Sequence, residues 1–256
     1  MTDLLNLESL IVIAVAPFVG SFLGVLISRI PEGETVIWGR SRCDSCGVTL
    51  GLPEIVPIIG SLLAGGRCRA CGVPIPRLYL LVELAATAVA LWSVLAVPGW
   101  LAWITCALGW TLLTLAFIDF RELLLPDELT LPLIAAGLAV AWFVDESRLL
   151  SHLLGAVLGF AFVALVAVAY RAARRREGIG WGDAKLLAAG GAWLSWEALP
   201  SLVLLASLAG LILLLAAGKL RNAADMARPV PFGTLLAAAI WLQWLYGTII
   251  LVPAWP

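Results

Sequence analysis

The sequence predicts an all-α integral membrane protein of about eight transmembrane helices with a small cytoplasmic loop domain. Three observations predict it: the composition, the spacing of long apolar windows, and the placement of the few charges. Of 256 residues, 62% are hydrophobic and only 13% charged, against about a quarter charged in soluble domains. A net charge of −1 and the lack of any basic–aromatic pattern give no reason to expect a nucleic-acid partner. Met1-Thr2-Asp3 lacks a basic start, and Asp3 and Glu8 stand there instead, so the first apolar stretch is expected to be kept as a span.

A helical span needs about 17–25 mostly apolar residues. Windows near 7–30, 78–97, 101–119, 129–144, 149–170, 184–196, 199–220 and 232–253 give eight. The fourth and sixth are short, and Gly190-Gly191 weakens the sixth. Merging the sixth and seventh gives a rival count of seven, but it requires one span of about 35 residues, too long even with tilt. The charges favour eight. With the N-terminus outside, every Lys and Arg except Arg148 falls on one side, which the positive-inside rule makes cytoplasmic. The chain then divides into a first span (1–30), a cytoplasmic loop (31–77) and a seven-span domain (78–256). Trp92, Trp100, Trp142, Trp196 and Trp255 fall near outer ends, as an interfacial aromatic belt does. Arg171, Arg174, Arg175 and Arg176 suit anionic lipid headgroups.

The loop contains Cys43-Asp44-Ser45-Cys46 and Cys68-Arg69-Ala70-Cys71, with 21 residues between the pairs, slightly more than the usual zinc-ribbon spacing of about 15–20. Gly47 and Gly72 follow the pairs, as suits tight turns that aim amides at thiolates. Cytoplasmic thiols stay reduced, so a tetrathiolate metal site is favoured over disulfides or a redox pair. Four cysteines fill a tetrahedral Zn²⁺ shell and leave no open position, which makes the metal structural. Binding it would supply folding energy that so short a loop lacks. Cys106, alone in the third span, reads as a small buried hydrophobe.

Acids in or beside hydrocarbon are costly and point to function. Asp119 ends the third span, and Asp183 opens the sixth within Gly180-Trp181-Gly182-Asp183-Ala184-Lys185. The topology puts both at the cytoplasmic side. Two carboxylates about 3 Å apart cannot both ionise, so one keeps a proton while the other acts as base. Such a pair activates water and protonates the leaving amine of a peptide bond. Gly180 and Gly182 allow close backbone approach beside Asp183. Asp127 and Glu128 suit the N-terminus of the fourth span. Glu83, some five residues into the second span, needs an interior partner, either a structural hydrogen bond or a bound ligand. His152 is the only histidine and lies near the outer side, which excludes Ser–His or Cys–His chemistry at the inner face.

Together these residues resemble the type IV prepilin peptidase family, bifunctional leader peptidases/N-methyltransferases and GxGD aspartic proteases. The likeness covers most of the chain: Gly20-Ser21-Phe22-Leu23 through Arg29-Ile30-Pro31, the paired CxxC loop, Leu81-Val82-Glu83-Leu84, Ile118-Asp119 with Leu125-Pro126-Asp127, Gly180 to Lys185, and Pro231-Phe232-Gly233. The resemblance implies catalytic Asp119 and Asp183, with Gly180, Gly182, Lys185, Asp127 and Glu83 in support. It implies cleavage of prepilins and pseudopilins, after a glycine, at the cytoplasmic face of the bacterial inner membrane. Members with the four cysteines, here Cys43, Cys46, Cys68 and Cys71, then methylate the new α-amine with S-adenosylmethionine. This chain departs from the pattern in its N-terminal half: Gly24 stands where members often have Asn, and Ser28 where they have His. The alternatives are another GxGD membrane protease or a non-enzymatic transporter or assembly protein. Only an enzyme would lose leader cleavage on replacement of either aspartate by asparagine.

Overall fold

Hydrocarbon offers no hydrogen-bond partners, so an apolar segment must satisfy its backbone within itself, as a helix does. The computed structural model describes residues 7–36, 45–49, 51, 56–58, 60, 67–175, 180–216 and 230–247. It contains α1 (Leu7–Arg29), α2 (Arg77–Ala96), α3 (Leu101–Glu122), α4 (Asp127–Val144), α5 (Leu149–Arg174), α6 (Trp181–Leu194), α7 (Leu199–Ala216) and α8 (Phe232–Tyr246). Each predicted window holds one of these helices. An isolated β bridge joins Arg67 and Pro74.

Helix ends differ from the windows for local reasons. Helix α3 runs a turn past Asp119 through Phe120, Arg121 and Glu122. It stops where Leu123 turns left-handed (φ 53°) and donates its N–H back to the Asp119 carbonyl. Pro126 then precedes α4, whose first turn carries Asp127 and Glu128 at the positive end of its dipole. The rival merger of the sixth and seventh windows fails at Ser195 (φ 72°) and the 3-10 turn Trp196–Ala198, which separate α6 from α7. Among the described residues six helices have the length and hydropathy to cross a bilayer, which makes this a multi-pass membrane protein. Helix α8 is shorter, and the 14 residues of α6 rise only about 21 Å, so eight crossings is an approximate count.

The chain forms two compact units, Met1–Thr114 and Leu115–Pro256. In the first, α1 and α2 pack along their length. A Cβ on Gly20 would lie 2.6 Å from the Glu83 Cα, so only glycine permits that approach. Val12, Ala16, Ala90, Val94, Ala102 and Cys106 form its core, with Trp110 against them. Cys106 is buried there, as the sequence suggested.

In the second unit α6 is the central helix. It packs against α4, α5, α7 and α8, and Ala184 and every residue from Leu186 to Trp193 are buried. Its small residues make this enclosure possible, since backbones approach closely where side chains are absent. A Cβ on either Gly155 of α5 or Gly191 of α6 would collide with the other's backbone. Gly159 meets the Leu187 carbonyl in the same way, 2.7 Å from its would-be Cβ. The Trp193 indole closes the far end, donating to the Leu133 carbonyl at 2.8 Å over Gly137. The exposed rings of Trp92, Trp100, Trp142 and Trp196 suit the belt, while Trp255 lies outside the described residues.

Gly191→Ala is expected to destabilise the unit by about 1–3 kcal/mol, the usual cost of overpacking a rigid contact. Gly210→Ala, which meets only the flexible tip of Leu235 at 3.2 Å, should be tolerated. Thermal unfolding of both variants in detergent checks the difference.

Candidate active site and metal centre

The two acids singled out in the sequence meet in the second unit. Asp119 lies on the last turns of α3 and is only 4% exposed. Asp183 stands in the first turn of α6, its N–H bonded to the carbonyl of the N-cap Gly180. Gly182, next to Asp183 in the chain, and Gly233, beside the Asp119 carboxyl, both lie against the Leu125 side chain. The packing explains how they come together. Leu125, on the turn after α3, wedges between Gly182 and Gly233: a Cβ at either would meet its side chain at 2.7 or 2.8 Å. A Cβ on Gly233 would also lie 3.0 Å from the Asp119 carboxyl carbon. Gly182 is thus needed for close approach, as its place in the motif predicted, whereas Gly180 meets nothing closer than the Asp183 carboxylate at 3.8 Å.

Asp119 Oδ2 accepts the Thr234 N–H at 2.6 Å, and the Thr234 hydroxyl lies 3.0 Å from the same oxygen. That hydroxyl is also 3.0 Å from the Ala116 carbonyl. Sequence reasoning missed Thr234. The available signal was a hydroxyl directly after Pro231-Phe232-Gly233 at the start of an apolar helix. Lys185 pairs with Asp127 across the α6–α4 contact, so these two supporting candidates hold each other. Among the described residues the Asp183 carboxylate accepts no hydrogen bond.

In the first unit the sulfurs of Cys46, Cys68 and Cys71 all lie within 4.8 Å of one another, and those of Cys46 and Cys68 are 3.9 Å apart. Tetrahedral zinc with Zn–S bonds of about 2.3 Å needs sulfurs about 3.8 Å apart; the Cys46–Cys68 pair has that spacing, and the three thiols together could hold a metal ion. Gly47 (φ 71°) and Gly72 (φ 72°) adopt the left-handed turns expected after each pair. The second knuckle closes through Gly72 N–H to Cys68 O at 2.8 Å and Cys68 N–H to Val73 O at 2.9 Å. Cys43, the fourth proposed ligand, lies outside the described residues.

Glu83, 4% exposed, has the interior partner that its position demanded. Its carboxylate accepts the Ile58 N–H at 2.7 Å and a hydrogen bond from the Ser21 side chain. Ile58 is a β-branched residue at φ 61°, an expensive conformation that needs external support. His152 lies between the two acids in sequence but is engaged elsewhere, its Nδ1 2.9 Å from the Ala192 carbonyl near the far end of α6.

Residues 106–215 match the model of the Type IV leader peptidase family, and residues 14–97 match the Bacterial Peptidase A24 N-terminal domain. A "Prepilin leader peptidase/N-methyltransferase" of Aeromonas hydrophila is 38% identical over 255 residues, covering 90% of this chain and 87% of that protein. Proteins of the same name from Burkholderia pseudomallei (strain 1026b) and Pseudomonas aeruginosa are 37% and 36% identical, over 90% of this chain and 82% and 87% of their own lengths. The chain belongs to the type IV leader peptidase family. It is an enzyme. No solved structure matches it significantly.

Within this leader peptidase, both α1 departures from the family pattern touch one ring. A Cβ on Gly24 would lie 2.7 Å from Tyr79 Cδ1, and Ser28 Oγ is 3.3 Å from the Tyr79 hydroxyl. Tyr79 fills the space that a larger residue at position 24 would need.

Glu83→Ala is expected to leave the Ile58 N–H unsatisfied, at about 1–3 kcal/mol. The result should be faster proteolysis of the 31–77 loop, with Glu83→Gln falling between the two because its amide oxygen can still accept. Timed proteolysis of the intact protein checks it.

Proposed function

We propose that this enzyme is a membrane-embedded aspartic endopeptidase with Asp119 and Asp183 as its catalytic pair. Its substrates are the leader peptides of type IV prepilins or pseudopilins, cut at the cytoplasmic face of the bacterial inner membrane. The observation that carries the reading is the packing around Leu125, which gathers Gly182 next to Asp183, on the first turn of α6, and Gly233 beside buried Asp119, on the last turns of α3. The relatives' name, prepilin leader peptidase/N-methyltransferase, supplies the substrate class. A carboxylate beside a carboxylic acid supplies both a base for water and an acid for the departing amine, each step worth about 10²–10⁴-fold. Gly182 and Gly233 make room for the Leu125 side chain beside the pair, and Lys185–Asp127 ties α6 to α4.

The 31–77 loop is the proposed methyltransferase-associated region. Cys43, Cys46, Cys68 and Cys71 would hold structural Zn²⁺, and S-adenosylmethionine would donate a methyl group to the new N-terminal amine. Glu83 anchors that loop through Ile58.

Purified enzyme incubated with a prepilin should release a shortened product, read by mass spectrometry, and add one methyl only when S-adenosylmethionine is present. Asp119→Asn and Asp183→Asn should each abolish cleavage while unfolding at the parent temperature. Cleavage surviving in both variants would sink the proposed pair, and a shortened product never methylated would sink the second activity alone. Metal analysis should find one zinc per chain. Chelation should expose the loop to protease and spare cleavage.

A further inference from the structure

The two carboxyls of the pair differ in what surrounds them, and the difference assigns their roles. Asp119 Oδ2 faces the N-terminus of α8, a 15-residue helix whose first-turn amides and dipole favour an anion. This is a made contact: the Thr234 N–H, which has no other role in the helix ladder, donates to that oxygen at 2.6 Å. A backbone N–H can only donate, so it stabilises the ionised form of Asp119. The hydroxyl has one proton to share between Asp119 Oδ2 and the Ala116 carbonyl, each 3.0 Å away. Asp183 also sits in a first helical turn, but no donor among the described residues reaches its carboxylate. The cation in the same turn, Lys185, is turned to Asp127.

We infer that Asp119 is the ionised member that takes the proton from water, that Asp183 is the protonated member that gives one to the substrate, and that Thr234 is the positioning residue that enforces this order. The inference rests on the proposed peptidase reading. Asp119 Oδ1, which the Thr234 contact to Oδ2 does not engage, removes a proton from water as the hydroxide adds to the scissile carbonyl carbon. Asp183 protonates the carbonyl oxygen, giving a neutral gem-diol. The proton on Asp119 then passes to the amide nitrogen as the C–N bond breaks. One gem-diol hydroxyl returns its proton to Asp183 as the new carboxylic acid forms, and both residues regain their starting states.

The test uses the full-length protein in lipid. Infrared difference spectra of the protonated-carboxyl C=O stretch should show a band that Asp183→Asn removes and Asp119→Asn leaves. The reverse pattern overturns the assignment. Thr234→Val, nearly isosteric, should lower kcat about tenfold, the loss of one hydrogen bond to a charged group, with KM within about twofold. Thr234→Ser should restore it. Equal activity in parent and Thr234→Val, or equal loss in the Val and Ser variants, overturns the role of Thr234. Should Asp119→Asn and Asp183→Asn both still cleave prepilin, the peptidase reading itself fails, an outcome separate from either of these.

Discussion

The close approach of α5 and α6 at Gly155 and Gly191 is the contact on which the rest of the second unit depends. Helix α6 is short, and besides Leu186, Leu187 and Trp193 every residue it buries is alanine or glycine. Those small residues let four helices close around it. Dispersion contacts between backbones replace the side-chain contacts that drive packing in water. That enclosure fixes the first turn of α6, and hence Asp183, relative to α3 and α8. A looser helix would let the carboxylate swing out to water, and the pair would dissolve into two independent surface acids.

Much of this was legible in the sequence, and the reason is specific to bilayers. Where the solvent is hydrocarbon, apolar runs of fixed length encode the helices directly, so each window holds one helix. Asp119 and Asp183 could be picked out because acids are scarce in such a chain, and the cysteines because their spacing is chemical. Partners across helices were not legible. Nothing in the string says that Lys185 reaches Asp127, that Leu125 wedges between Gly182 and Gly233, or that Thr234 reaches Asp119 115 residues away. These follow from rotation and depth in packing, which apolar periodicity leaves almost unspecified when a helix is hydrophobic all round. The overrun of α3 past Asp119 was missed because Phe120, Arg121 and Glu122 are good enough helix formers to continue beyond the apolar window.

The first unit solves a different problem. The described turns of the 31–77 segment at Gly47, Ile58 and Gly72 all carry positive φ, each an entropic or steric cost. Two localised constraints offset that cost. Thiols gathered within 4.8 Å are repulsive once deprotonated, so their convergence makes sense as a place for a dication. The Glu83 carboxylate, fixed on α2, grips the Ile58 amide and ties the loop to a rigid helix. A carboxyl buried at 4% exposure is otherwise a liability, and the Ile58 hydrogen bond is what makes it tolerable.

Polar groups in these helices sort themselves by where their hydrogen bonds go. Ser28, Thr87, Ser93, Thr111 and Thr114 each bond the carbonyl four residues back, which satisfies a hydroxyl locally and requires nothing of the fold. A second group reaches another helix: Trp193 to Leu133, Ser201 to Gln243, Lys185 to Asp127, Thr234 to Asp119. Those bonds fix register and rotation, so they are structural even where they serve the site. Asp183 belongs to neither group. It is a part-buried acid next to another acid, with no donor among the described residues and the nearest cation of its own motif engaged elsewhere. Stability alone gives no reason to keep a carboxyl there, because alanine would pack against the same neighbours without the desolvation cost. The proposed catalytic role would account for a group that the fold does not need, held where the fold can least easily tolerate its charge.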